Sequence, residues 1–114
     1  MNRVDYSIVF VSDMKRSVAF YRDVLGLPLR YESPGWSEFA TEGTTLALHP
    51  AGELGAGHCQ PGFVVDDISA FHQKAEANGM KCVMPPKKQD FGGVLAAYAD
   101  PDGLILSVME AQKR

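Results

Sequence analysis

Apolar and polar positions change their period several times along this chain, and each change marks an element. Val4 to Val11 mixes β-branched and aromatic residues in the manner of a strand. Ser12-Asp13 follows with side chains suited to capping a helix. Val18, Phe20, Tyr21, Val24 and Leu25 then recur near helical spacing up to Gly26, which suits a helix C-terminus. Three short strands are predicted next, Leu27–Glu32, Trp36–Thr41 and Thr45–His49, parted by Pro34-Gly35 and Glu42-Gly43. The order then repeats. Gln60–Val65 reads as a strand, and Asp66-Asp67 caps a helix carrying Ile68, Phe71, Ala75 and Met80, with Gly79 at its end. Lys81–Met84, Val94–Ala99 and Leu104–Glu110 are three further strands, with turns at Pro85-Pro86 and Phe91-Gly92-Gly93.

Both halves therefore read β-α-β-β-β, and fixed offsets support an internal repeat. Val11 and Val65 lie 54 residues apart, as do Asp13 and Asp67. Gly26 and Gly79 lie 53 apart, which makes the second helix one residue shorter, and Gly43 and Gly103 lie 60 apart. The expected organisation is one domain over residues 1–114: module one (1–50), a Gly- and Ala-rich hinge (51–58) and module two (59–114). A βαβββ unit covers one face of its sheet with a helix and leaves the other bare. Two such units are expected to curl their bare faces into a curved eight-stranded sheet around a shared cleft, an α+β fold.

Composition narrows the partners. The chain has 114 residues, 46% of them hydrophobic, enough for a real core. A net charge of −3 and a pI near 5.5 argue against nucleic acid and anionic membranes. No apolar run approaches the length of a membrane span, and Met1-Asn2-Arg3-Val4-Asp5 lacks the apolar core of a signal peptide. Cys59 and Cys82 sit in no metal spacing and read as reduced thiols, so a cytoplasmic location is expected. Lys87-Lys88 reads as a solvated charged loop.

Ser17-Val18-Ala19-Phe20-Tyr21-Arg22-Asp23-Val24-Leu25-Gly26-Leu27, together with Phe91-Gly92-Gly93 and Asp100-Pro101-Asp102-Gly103, resembles the signatures of the vicinal oxygen chelate superfamily. That superfamily includes glyoxalase I, extradiol dioxygenases, and fosfomycin- and bleomycin-resistance proteins. The resemblance spans essentially the whole chain. It implies the duplicated fold and leaves the reaction open, since one scaffold hosts many functions.

Enzymes of the superfamily commonly hold a divalent ion with His or Glu at four cleft positions, one on the first and one on the last strand of each module. Carried onto this chain, those positions are Tyr6 and Gln60, seven residues before the capping aspartates, and Ala47 and Ser107, four after the turn glycines. Alanine offers no donor, and Ser, Gln and Tyr are poor ligands at neutral pH. No metal and no cofactor are therefore expected. A two-residue slip would bring His49 onto the Ala47 position, on the same strand face, and would supply one good ligand.

Strand alternation proposes what the cleft contains instead. With Ala47 facing the cleft, His49 faces it too, while Leu46, Leu48 and Phe39 face the helix. Trp36, Glu38 and Ala40 then face the cleft. Matching Gly43 with Gly103 transfers those positions to Ala96, Tyr98 and Asp100. The candidate ligand-binding residues are Tyr6, Trp36, Glu38, His49, Gln60, Tyr98 and Ser107, a mix of flat aromatic surface and hydrogen-bonding groups. The expected function is metal-independent binding of a small organic, antibiotic-like molecule, as in the bleomycin-resistance branch. The alternative is a lyase or isomerase of the glyoxalase I type, using an unrecognised metal site or Glu38 and His49 as an acid–base pair. Small members of the superfamily are commonly homodimers, so a homodimer is expected.

Overall fold

A computed structural model describes residues 3–53 and 55–111. Among these, β1 spans Arg3–Val11, α1 Met14–Ala19, β2 Leu29–Tyr31, β3 Ser37–Phe39 and β4 Thr45–Pro50. The second set is β5 Cys59–Val65, α2 Ile68–Ala77, β6 Lys81–Lys88, β7 Val94–Ala99 and β8 Ile105–Glu110. The α+β class and the twice-run βαβββ order are those read from the pattern. The chain divides into two compact units, one of Asp5–Cys59 and one running from Gln60 onward that also takes in Val4.

In module one the strands lie in the order β2-β3-β4-β1. β1 runs parallel to β4, from Tyr6 opposite Thr45 to Val11 opposite Pro50. β4 is antiparallel to β3, with Ser37, Glu38 and Phe39 opposite Leu48, Ala47 and Leu46. The helix-side face buries Val11, Phe39 and Leu48 against Val18 of α1, with Val9, Met14, Tyr21, Leu29 and Leu46 packed around them. Asp13 caps α1, its Oδ1 accepting from the Arg16 amide at 3.1 Å.

Past Ala19 the helix widens into a π turn over Phe20–Val24, where the Leu25 amide donates to the Phe20 carbonyl five residues back at 3.0 Å. Sequence periodicity predicts a plain helix here. The interval from capping aspartate to closing glycine is 13 residues in module one and 12 in module two. The π turn absorbs the extra residue, and Gly26, at φ +82°, then ends the helix.

Module two repeats the order as β6-β7-β8-β5, with β5 parallel to β8 and the others antiparallel. Its helix-side core is Val65, Ile68, Ala75, Ala96, Tyr98 and Val108, joined by Phe63, Phe71, Cys82 and Val94. Asp67 caps α2 through the Ala70 amide at 3.0 Å. The Asp100-Pro101-Asp102-Gly103 turn is closed by Asp100, whose Oδ1 accepts from the amides of Asp102 (2.9 Å) and Leu104 (2.8 Å).

The reading of the segment after Met84 is corrected. Pro85-Pro86 does not end its strand and Lys87-Lys88 is not a loop, because β6 runs through both to Lys88. β6 lies at the outer end of its module's strand order, where a missing N–H breaks no inner ladder, and its pairing with β7 shifts register between Met84 and Lys87. In the segment expected to be the hinge, Ala51, Gly57 and His58 bond to β1. The Ala51 amide donates to the Val11 carbonyl (2.8 Å), the Gly57 amide to the Phe10 carbonyl (3.0 Å), and the Phe10 amide to the His58 carbonyl (3.0 Å). Cys59 and Cys82 are free thiols. No helix among the described residues is long and apolar enough to cross a membrane.

Candidate functional site

The face of module one's sheet turned away from α1 gathers most of the chemistry. Since Val9 and Val11 point to the helix, Tyr6, Ile8 and Phe10 of β1 point the other way. The same alternation puts Thr45, Ala47 and His49 of β4 on this open face. Glu38 joins them opposite Ala47. Trp36, just ahead of β3, completes the row.

These side chains form a continuous run of rings. Tyr6 meets Trp36 edge-on at 6.0 Å between centroids, and Trp36 meets His49 edge-on at 6.3 Å. His49 lies 5.3 Å from Phe10, which stacks flat on His58 at 4.6 Å and 6°. β4 lies between β1 and β3, so the contact of Tyr6 with Trp36 spans it, and Ala47 beneath is fully buried. Alanine at this position leaves room for two large rings to meet. The result is an aromatic platform. Two open grooves lie elsewhere, of about 180 Å³ beneath α2 and about 410 Å³ beside α1.

Electrostatics lock the platform. One oxygen of Glu38 takes the Arg30 guanidinium (Nε 3.2 Å, Nη2 3.1 Å), and the other accepts from Trp36 Nε1 at 2.7 Å. Arg30 Nη2 also donates to Thr45 Oγ1 at 2.5 Å. Glu38 thus fixes the indole, and its charge is offset by a cation beside it. Burial, and next the Glu38 charge, push the Tyr6 hydroxyl above its ordinary value against a smaller opposing effect of Arg30, so Tyr6 stays a neutral phenol at neutral pH. His49 Nδ1 sits 2.8 Å from the Pro50 carbonyl, which can only accept, so Nδ1 is assigned as the donor and Nε2 faces away from that bond. At the far end of the run, His58 Nε2 is buried without a hydrogen-bond partner among the described residues.

Tyr6, Trp36, Glu38 and His49 therefore share one face. Glu38 and His49 form no pair, because Glu38 is taken by Arg30 and Trp36, and His49 leans on Pro50 and two rings. Gln60 and Ser107 belong to module two. Ser107 lies opposite Gly62 on one side and Ala97 on the other, on the face away from α2. Gln60, two residues before Gly62, shares that face.

Tyr98 departs from its expected place. It is fully buried on the helix side, packed on Phe71 at 5.4 Å, and its hydroxyl bonds His72 Nδ1 at 2.8 Å. Burial first, then the nearby Cys82 and Glu76, push that hydroxyl above its ordinary value. The cause of the misplacement is a single residue. Glu38, opposite Ala47, lies five residues before Gly43, whereas Ala97, opposite Ser107, lies six before Gly103. Counting back from the glycines therefore slips by one in module two and turns every side chain over. Ala97 is the counterpart of Glu38, Ala96 of Ser37, and Tyr98 of Phe39. Asp100 serves the turn.

Phe10, Arg30, Thr45 and His58 were missed. Extending the alternation of β1 beyond Tyr6 reaches Phe10. Arg30 and His58 carry no such signal, since their places depend on the β2–β3 register shift and on the bonds of Gly57 and His58 to Phe10.

A family profile described as the Glyoxalase/Bleomycin resistance protein/Dioxygenase superfamily matches residues 3–108. The chain belongs to that superfamily. A bleomycin resistance protein of Klebsiella pneumoniae is 25% identical to it over 107 residues, covering 86% of this chain and 84% of that protein. Among solved structures, an NAD-dependent benzaldehyde dehydrogenase from Legionella pneumophila superposes with a TM-score of 0.78 at 22% identity, covering 98% of this chain and all of that one. A superfamily member from Vibrio splendidus gives 0.72 at 21% identity, covering 97% and 100%. A hypothetical protein from Bacillus halodurans gives 0.79 at 17% identity, covering 99% and 96%. These structural likenesses establish the fold alone.

The superfamily's metal is tested by the donors themselves. Module one offers at the family's positions a neutral phenol, Tyr6, and the donorless Ala47. Module two offers the amide of Gln60 and the hydroxyl of Ser107. Among the described residues no three His, Cys, Asp or Glu side chains stand close enough to share an ion. This set does not fit a chelated divalent cation.

Proposed function

We propose that this superfamily member binds a small organic molecule on the open face of module one, by stacking and hydrogen bonding and without a metal. The observation that carries the reading is the unbroken run Tyr6, Trp36, His49, Phe10, with Glu38 spent on holding Trp36 in place. Aromatic faces supply contact area for a flat ligand, while the Tyr6 hydroxyl and His49 Nε2 supply direction. The Klebsiella pneumoniae relative, a bleomycin resistance protein, points the same way. Because Glu38 is neutralised by Arg30, the face favours flat, weakly charged ligands over strongly cationic ones. The lyase or isomerase alternative loses its acid–base pair and would rest on His49 alone.

Trp36 is the chain's single tryptophan, so its fluorescence reports this face and nothing else. Titration with metal-free bleomycin and with smaller planar aromatic compounds, in chelator, tests the reading. Saturable quenching that His49→Ala weakens supports it. Quenching that needs an added divalent ion, or none with any compound, refutes it. The homodimer belongs to the same reading, and sedimentation equilibrium decides it.

A further inference from the structure

We propose that module one carries a second small-molecule site, sharing Phe10 with the open-face run, that takes an aryl or arylalkyl carboxylate in the groove beside α1. The groove is open to solvent along much of its length and offers about 410 Å³, against about 300–1,000 Å³ common for small-molecule sites. β1, the α1 helix and its π turn line it, and Ala56 and Gly57 close one side. Arg16, Ser12 and Ser17 supply its polar lining, and Phe10, Val11, Phe20 and Tyr21 much of the rest.

Arg16 is the group that asks for a ligand. Its guanidinium touches Ser12 Oγ at 3.4 Å, and no carboxylate pairs with it among the described residues. The nearest acid in sequence, Asp13, is occupied capping the helix through the Arg16 amide. Arg22, by contrast, is held by Asp23 at 2.8 Å. An unpaired fork beside two hydroxyls suits a carboxylate, which it can hold through two parallel hydrogen bonds. Phe20 and Tyr21 meet edge-on at 5.2 Å, and Phe20 is 48% exposed, so a ring entering the groove finds aromatic surface ready to be covered.

Module two shows why the groove exists in one half only. At the 54-residue offset, Ser17 corresponds to Phe71 and Arg16 to Ala70. Phe71 fills its module, packing on Tyr98, and the space left beneath α2 is about 180 Å³ with no charged group in its lining. Module one has the smaller Ser17 at that position, in the groove lining, and Tyr21 supplies the ring that packs on Phe39. The π turn, present only there among the described residues, carries Phe20 to its rim.

The test is an amide-resolved NMR titration of the full chain with 3-phenylpropionate, with 3-phenylpropionamide and acetate in parallel. The proposal expects saturable shifts at Ser12, Arg16, Ser17, Phe20 and Gly57, with the amide and acetate each binding at least tenfold more weakly. Arg16→Gln, on an exposed helix surface, should weaken binding about tenfold while Arg22→Gln leaves it unchanged. Ser17→Phe, which restores the module-two residue, should abolish it. Shifts confined to the open face, equal binding of acid and amide, or an Arg16→Gln affinity equal to that of the parent protein would each overturn the proposal.

Discussion

The two modules share a backbone plan and differ in where they place their polar chemistry. Module one sets its rings and charges on the open face, where Tyr6, Trp36, Glu38, Arg30 and His49 touch one another, and its helix-side core is apolar but for Ser37. Module two differs. Its open face at the β5–β8–β7 row carries Gly62, Ser107 and Ala97, and its polar contact starts from the buried Tyr98, which bonds the part-buried His72, and His72 reaches the exposed Glu76 at 3.3 Å. Duplication supplied one scaffold twice. One copy carries its ring cluster on the open face, while the other joins a buried tyrosine to a part-buried histidine beneath its helix.

The largest expected effect tests whether the two cores are equivalent. Phe39 and Tyr98 occupy matching places, each fully buried and each packed on a helix aromatic, Tyr21 at 5.8 Å and Phe71 at 5.4 Å. Truncation of either to alanine should cost about 3–5 kcal/mol in urea unfolding. A loss confined to one module would break the equivalence. Tyr98→Phe should cost about 1 kcal/mol, the worth of the hydrogen bond to His72 that Phe39 never makes.

Glu38→Ala sharpens the contrast on the open face. It removes the acceptor of the Trp36 indole and the partner of Arg30. Stability should fall by about 1 kcal/mol, and the emission of Trp36 should move as its ring is released. An unchanged spectrum would mean that Glu38 does not position the indole.

The smallest effect is alkaline. The hydroxyls of Tyr6 and Tyr98 are both raised above the ordinary tyrosine value of 10.0. A group raised in the folded state contributes stability that is complete below its unfolded value and lost as pH climbs through the folded one. Unfolding free energy should therefore decline above about pH 10. Tyr6→Phe and Tyr98→Phe should each remove part of that decline, as followed by tyrosinate absorbance and denaturant titration together. An alkaline slope unaltered in both variants would contradict the assignment.

Local chemistry made much of the fold legible. Asp13 and Asp67 read as caps and are caps. Asp100-Pro101-Asp102-Gly103 read as a turn and is closed by Asp100. Features that depend on counting across a gap were lost. One added residue ahead of Gly103 hid the burial of Tyr98, and one added residue in the first helix became a π turn that periodicity could not show. Pro85-Pro86 read as a break because sequence does not reveal that β6 is an outer strand. On the open face, alternation within single strands grouped Tyr6, Trp36, Glu38 and His49. It could not supply Arg30, whose reach to Glu38 and Thr45 is set by tertiary register.

The most direct test compares ligand affinity, read by Trp36 fluorescence in chelator, between module-one and module-two variants. With a planar aromatic compound that quenches the parent protein, Tyr6→Leu and His49→Ala should each weaken binding at least tenfold, while Ser107→Ala and Gln60→Ala change it no more than about twofold. Equal losses from both pairs, or a loss from Ser107→Ala and Gln60→Ala alone, would contradict the claim that module one carries the recognition surface.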